Sequence, residues 1–212
     1  MTTSKLCWCS VAAGAALLLA QAASAQIGGP GGKPLPKLVL FMVVDGFPQE
    51  QFVKYYDQYG PRGFKLWLDK GAWYGNNHYS HATTYTGVGH ATLLSCAHPY
   101  KHGVVGNDWI DKASGKRLYS TEDARYKYLD EPTPLHAGTS PFNMKVTTVG
   151  DELHYANGKS KVIAIAGKDR SSIGLAGQFG TAYMHKRCNG PIHHLGLLHE
   201  RLPGVVEGIL CQ

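Results

Sequence analysis

LVLFMVV, residues Leu38 to Val44, is a continuous apolar run preceded by Pro36 and closed by Asp45-Gly46. Its length and β-branched content read as a strand buried on both faces, as in a parallel sheet. VIAIA, Val162 to Ala166, is a second run of the same kind. Around them lie helical patterns at Gln51 to Tyr59 and Phe64 to Lys70, split by Gly60-Pro61, and at Thr86 to Leu94. Another covers Val146 to Tyr155, where Asn157-Gly158 predicts a left-handed cap. Trp73 to Tyr79 reads as a further strand, and Trp109-Ile110 with Leu118-Tyr119 as a hairpin about Ser114-Gly115. Tyr126 to Phe142, rich in Pro, Asp, Thr and Gly, reads as a surface excursion. The order strand, helices, strand, helix, strand defines an α/β domain with a mostly parallel central sheet flanked by helices.

The segments outside these patterns bound the domain. Lys5, the short apolar run Val11 to Ala20 and the small-x-small triplet Ala23-Ser24-Ala25 make residues 1–25 a signal peptide. That run is shorter than the roughly 20 apolar residues a membrane span needs, so no membrane anchor is expected after cleavage. The protein is expected to be exported, to the periplasm or the medium. Residues 26–37 (QIGGPGGKPLPK) form a Gly/Pro-rich linker. Removing the leader takes Lys5 and no acid, so the formal charge of +6 becomes +5. The basic residues are scattered, which suits weak attraction of anions and excludes the concentrated basic face of a nucleic-acid binder. Cys96, Cys188 and Cys211 remain, an odd and widely spaced set that makes neither a disulfide framework nor a CxxC metal site.

Chemistry-bearing residues gather at the ends of these elements. Asp45 follows the first apolar run, at the carboxyl end of a strand where α/β sheets bind ligands. Binding a cation such as zinc and capping the next helix are equally good roles for it from position alone. Thr86 precedes Gly87 and Gly89 at a predicted helix start, whose free N–H groups favour an anion. Thr83, Thr84 and Thr92 compete with it. Asn107 in GVVGNDW can donate to a phosphate oxygen or simply turn the chain. Lys168 and Arg170 flank Asp169 after the second apolar run; in an extended segment they would point the same way and converge on one anion. His90 reads as a satisfied structural histidine.

With LVLFMVVDGF, TYTGVGHATLLS, HGVVGNDW and VIAIAGKDRSS in this order, the chain resembles the alkaline phosphatase superfamily from Lys37 to about Tyr183. It is most similar to the phosphate-irrepressible, threonine-nucleophile phosphomonoesterases, relatives of the nucleotide pyrophosphatase/phosphodiesterases. The resemblance implies zinc-dependent hydrolysis of phosphate monoesters through a phospho-threonine intermediate. Thr86 would be the nucleophile and a zinc ligand, Asp45 a second ligand of that zinc, and Asn107, Lys168 and Arg170 the phosphate-binding groups. The Lys-x-Arg pair suits the extra charge of a monoester; a phosphodiesterase on the same scaffold is the alternative. In the family two zinc ions take further Asp and His ligands from a later part of a longer chain, and those motifs do not occur here. Cys96 stands where the family usually has a small residue such as glycine.

After Met184 the resemblance stops. Residues 38–185 are therefore expected to form a partial alkaline-phosphatase-like domain. Residues 186–212 form a tail without turn logic or strand alternation, read as an out-of-frame continuation that truncates the chain. A catalytically inactive fragment is the competing expectation.

Overall fold

The structure, a computed structural model, describes residues 36–128, 132–187 and 193–199. The segment expected to be a signal peptide, residues 26–35 of the expected linker, and residues 188–192 and 200–212 of the tail lie outside these residues. The chain divides into two compact units, Met1–Gln51 and Phe52–Gln212. In the first, Leu38 to Val44 belongs to no strand, and Leu38, Val39 and Leu40 are 81%, 75% and 76% exposed. The buried strand expected there is not formed. An apolar run becomes a strand only through ladder hydrogen bonds to a neighbour, and no described residue pairs with it.

The helices expected next are present: α1 at Gln49–Lys54, followed by a 3-10 turn at Tyr56–Gln58, and α2 at Phe64–Lys70. They are joined by an aromatic cluster in which Phe52 meets Phe64 edge-on at 4.9 Å and Trp73 at 5.6 Å. The strand expected at Trp73 to Tyr79 is absent. Gly75-Asn76 turns the chain, and Asn76 bonds the ring of His78 at 2.7 Å instead of holding an extended register.

Helix α3, Thr86–Ser95, begins where the sequence places it, with Tyr85 as its extended N-cap. It ends on Cys96, whose φ of 53° lies in the left-handed region. Helix α4, Pro99–His102, starts on a proline suited to the first helical position and ends at Gly103, φ 82°. The predicted hairpin forms from β1, Asp108–Ile110, and β2, Arg117–Tyr119, in the register Asp108 to Tyr119. Asp111 closes its turn by accepting from the Ser114 N–H and hydroxyl at 2.9 and 2.6 Å.

Helix α5, Val149–Asn157, opens with a capping box between Thr148 and Asp151 and closes on Gly158, φ 61°, the left-handed cap the sequence predicts. The Asp151 carboxylate is fully buried. It accepts from Thr148 N–H at 2.7 Å and, 27 and 28 residues on, from the Gln178 and Phe179 N–H groups at 2.8 and 2.9 Å. One carboxylate thus caps a helix and anchors a distant turn, so its loss would leave several donors buried at about 1–3 kcal/mol each.

Strand β3, Ile163–Ala166, leads through α6, Asp169–Ala176, to β4, Thr181–Arg187, which pairs with it in parallel. Ala164, Ile173, Ala176 and Ala182 form the core of this βαβ unit, with Tyr128 packed among them. β3 is buried on one face only: Ala164 is 7% exposed, whereas Ile163 and Ile165 are 53% and 60% exposed. A second small core of Ala91, Val104 and Met144 sits under α3. Gly174 of α6 faces α3, where a Cβ would come into ordinary contact with the Ala91 nitrogen at 3.5 Å.

Three expectations need correction. The sheet β3-β4-β5 is mixed, because β5, His193–His199, pairs antiparallel with β4. That ladder runs into the tail expected to carry no strand; backbone pairing does not require alternating side chains. The excursion from Tyr126 to Phe142 is only partly superficial. Tyr128 and the return at Gly138 to Pro141 are buried, because Thr139 and Ser140 donate their N–H groups to Thr121 O. The α/β character itself stands.

Candidate functional site

The first turn of α3 and the loop before β1 build one wall of the site. Thr86 is the first residue of the helix and half-buried. The N–H of Gly87 donates to Asn107 Oδ1 at 2.9 Å. With its oxygen occupied in this way, the Asn107 side chain has its amide hydrogens left for a ligand. Gly87 cannot easily be larger: a Cβ would lie 3.2 Å from Ser120 Oγ and 3.4 Å from Asn107 Oδ1. The neighbouring threonine Thr92 is engaged elsewhere, donating to Val88 O at 2.9 Å and meeting His102 Nε2 at 3.0 Å. His90 is buried with Nδ1 donating to Thr86 O at 2.8 Å, the structural role expected for it.

The start of α6 builds the other wall. Lys168 is the N-cap and exposed, while Asp169 and Arg170 already belong to the helix. The extended-chain argument for aligning Lys168 with Arg170 therefore does not apply, because helical residues two apart diverge. Arg170 turns inward. Its Nη1 donates to the Tyr119 hydroxyl at 3.0 Å, and that hydroxyl donates to Asp169 Oδ1 at 2.6 Å. Burial, with Asp169 beside it, pushes the Tyr119 phenol up to about 12, so it remains a donor at any ordinary pH.

A small cavity between the walls is lined by Gly87, Ser120, Thr121, Arg170, Ile173 and Gly174, among others. Arg170 Nε, Ser120 Oγ and Thr121 Oγ1 are buried without a hydrogen-bond partner. Unpartnered buried donors are costly and rare, and here they mark a space suited to an acceptor-rich ligand. Ser120, Thr121, Tyr119 and Asp169 carry no signal in the sequence that links them. Tyr119 and Asp169 are 50 positions apart, and only the fold brings them together.

The structure thus brings the start of α3, with Thr86 and Gly87, and the loop at Asn107 near Arg170, while Lys168 caps α6 and is exposed. Asp45 belongs to the other compact unit. The residues do not fit a zinc site as they stand. No group of three or more His, Cys, Asp or Glu side chains able to hold a metal occurs among the described residues. Asp45 and Thr86 supply two donors, where zinc is held by at least three protein ligands.

Residues 39–177 match the type I phosphodiesterase / nucleotide pyrophosphatase family, and the chain belongs to it. Among its relatives is the alkaline phosphatase PafA of Elizabethkingia meningoseptica, 39% identical over 145 residues, which are 68% of this chain and 27% of that protein. Alkaline phosphatase PhoV of Synechococcus elongatus is 36% identical over 84% of this chain and 32% of its own length. The crystal structure of wild-type PafA superimposes with a TM-score of 0.63 at 35% identity, covering 69% of this chain and 28% of PafA. A PafA variant with one threonine, one asparagine, one lysine and one arginine replaced gives 0.67 at 33% identity, covering 71% and 30%. The chain spans about a quarter to a third of the length of these relatives.

Proposed function

We propose that this chain carries the phosphoryl-binding part of a phosphomonoester hydrolase site, with Thr86 as the nucleophile whose hydroxyl oxygen attacks phosphorus. The observation that carries this reading is the buried, unpartnered Nε of Arg170 at a cavity that begins one residue after Thr86. Asn107, held by Gly87 N–H, and Arg170, held by Tyr119, offer N–H donors to the non-bridging oxygens, and the first turn of α3 adds its dipole. Lys168 supplies a further cation at the mouth. Further support comes from the four positions replaced in the PafA variant: a threonine and an asparagine 21 apart, and a lysine and an arginine two apart. Thr86 and Asn107, and Lys168 and Arg170, have those separations here.

A zinc ion that lowers the pKa of the Thr86 hydroxyl would require ligands beyond Asp45 and Thr86. In this reading the segment at residues 1–25 directs the protein to export, where phosphate esters of the medium are its substrates.

Calorimetric titration with inorganic phosphate tests the site on the 212-residue chain. Asn107→Ala and Arg170→Ala are each expected to weaken binding by about tenfold, the loss of one charge-assisted hydrogen bond. Unchanged affinity in Arg170→Ala would remove the basis of the assignment. The family also contains diesterases, so phenyl phosphate and diphenyl phosphate are compared. Lys168→Ala should weaken the dianionic monoester more than the monoanionic diester; an equal effect would favour the diester.

A further inference from the structure

Asp169 stands between the two cations of the Lys-Asp-Arg triplet, yet its carboxylate makes no hydrogen bond to the Arg170 guanidinium. The nearest approach of its carboxylate to the guanidinium is 3.9 Å, beyond a hydrogen bond. Its oxygens are occupied otherwise. Oδ1 accepts from the Tyr119 hydroxyl at 2.6 Å and from the Arg170 backbone N–H at 2.7 Å, and Oδ2 accepts from Gly138 N–H at 2.7 Å. The Tyr119 oxygen in turn accepts from Arg170 Nη1 at 3.0 Å. The order is carboxylate, phenol, guanidinium.

We propose that Tyr119 and Asp169 are positioning residues for Arg170, a role that rests on the reading of Arg170 as a phosphoryl-binding group. A direct bidentate pair with Asp169 would have consumed the guanidinium donors and cancelled its charge. Contact through a neutral phenol fixes the orientation of the fork without committing its donors to the carboxylate, and leaves the Nε–H for an anion. The same hairpin sets the other donor. Asp108 pairs with Tyr119 across β1 and β2, and the Asn107 carbonyl accepts from Ser120 N–H at 2.9 Å. Asn107 and Tyr119 are therefore held in one rigid ladder, so the hairpin places both phosphate-facing groups at once. Gly138 completes the arrangement, since a Cβ there would collide with Thr121 Oγ1 and lie 2.7 Å from Asp169 Oδ2.

The test uses the whole 15N-labelled chain with inorganic phosphate, reading the Arg170 Nε–H resonance and the phosphate affinity together. Tyr119→Phe is expected to weaken phosphate about fivefold, the effect of one ordinary hydrogen bond, and to speed exchange of the Nε–H. In an Arg170→Ala background the same substitution should cost nothing further, which a purely structural role of the tyrosine would not produce. Asp169→Asn, read in the same way, serves if Tyr119→Phe does not fold. An Arg170 resonance and a phosphate affinity both unmoved by Tyr119→Phe would overturn the proposal, as would an equal loss in the Arg170→Ala background. If Arg170→Ala itself binds phosphate as the parent does, the reading of the site fails, and the Nε–H exchange alone then decides whether Tyr119 positions Arg170.

Discussion

His102 shows how a single residue outside the site carries measurable consequences. It is completely buried; its Nδ1 accepts from Val104 N–H at 3.1 Å and its Nε2 meets Thr92 Oγ1 at 3.0 Å. Burial, reinforced by His81, lowers its pKa to about 4. The unfolded chain therefore takes up this proton before the folded one does. Stability is fully present above about pH 6.5 and falls as the pH drops towards 4, by an amount of the order of 3 kcal/mol. Urea midpoints measured across that range should decline with acid, and His102→Asn should flatten the slope. Asp123, pulled down to about 2 by its bond to Arg125, adds a contribution that is present above about pH 4 and is lost as the pH falls towards 2. At this scale the sequence was a good guide to residue type and a poor one to role. His90 was legible as structural because a histidine four places after Thr86 meets its carbonyl on the same helix face. Asp169 was not legible, because its partners Tyr119 and Gly138 are remote in sequence and local pattern holds no record of them.

Helices were read well where their ends carry local chemistry. The Thr148–Asp151 box and Gly158 bound α5 by interactions within a few residues, which is why the cap at Gly158 could be foreseen. The end of α3 is the informative exception. Cys96 occupies a left-handed position, φ 53° and ψ 25°, that costs a residue with a Cβ about 1–2 kcal/mol and glycine almost nothing. Cys96→Gly is expected to raise stability by about 1 kcal/mol, less the greater entropy of glycine in the unfolded chain. Equilibrium urea denaturation measures it, and a loss of stability would show that the thiol packs more usefully than its exposed position suggests. Strands were read less reliably. VIAIA formed because β4 lies beside it, whereas the similar run LVLFMVV has no partner among the described residues. The two runs are alike in composition and differ only in their neighbours.

Over the whole molecule, the apolar residues Leu38, Leu40, Ile163 and Ile165 remain more than half exposed. Exposed apolar segments of this kind favour self-association. The described residues also supply too few donors for zinc. The 212-residue chain is accordingly expected to release no phosphate from an aryl phosphate with added Zn²⁺ beyond a Thr86→Ala control. Thr86-dependent release would show that the donors are completed by residues or partners outside those described. The sequence by itself determined the family and the α/β class, and it singled out Thr86, Asn107, Lys168 and Arg170 as candidates for the chemistry. Motif spacing, turn residues and helix caps are properties of neighbours along the chain. Only the tertiary structure decided which apolar run became a strand, that Arg170 turns inward while Lys168 stays exposed, and that Tyr119 and Asp169 hold the guanidinium. Those outcomes depend on pairings across tens of residues, whose hydrogen bonds and burial exist only once the chain has folded.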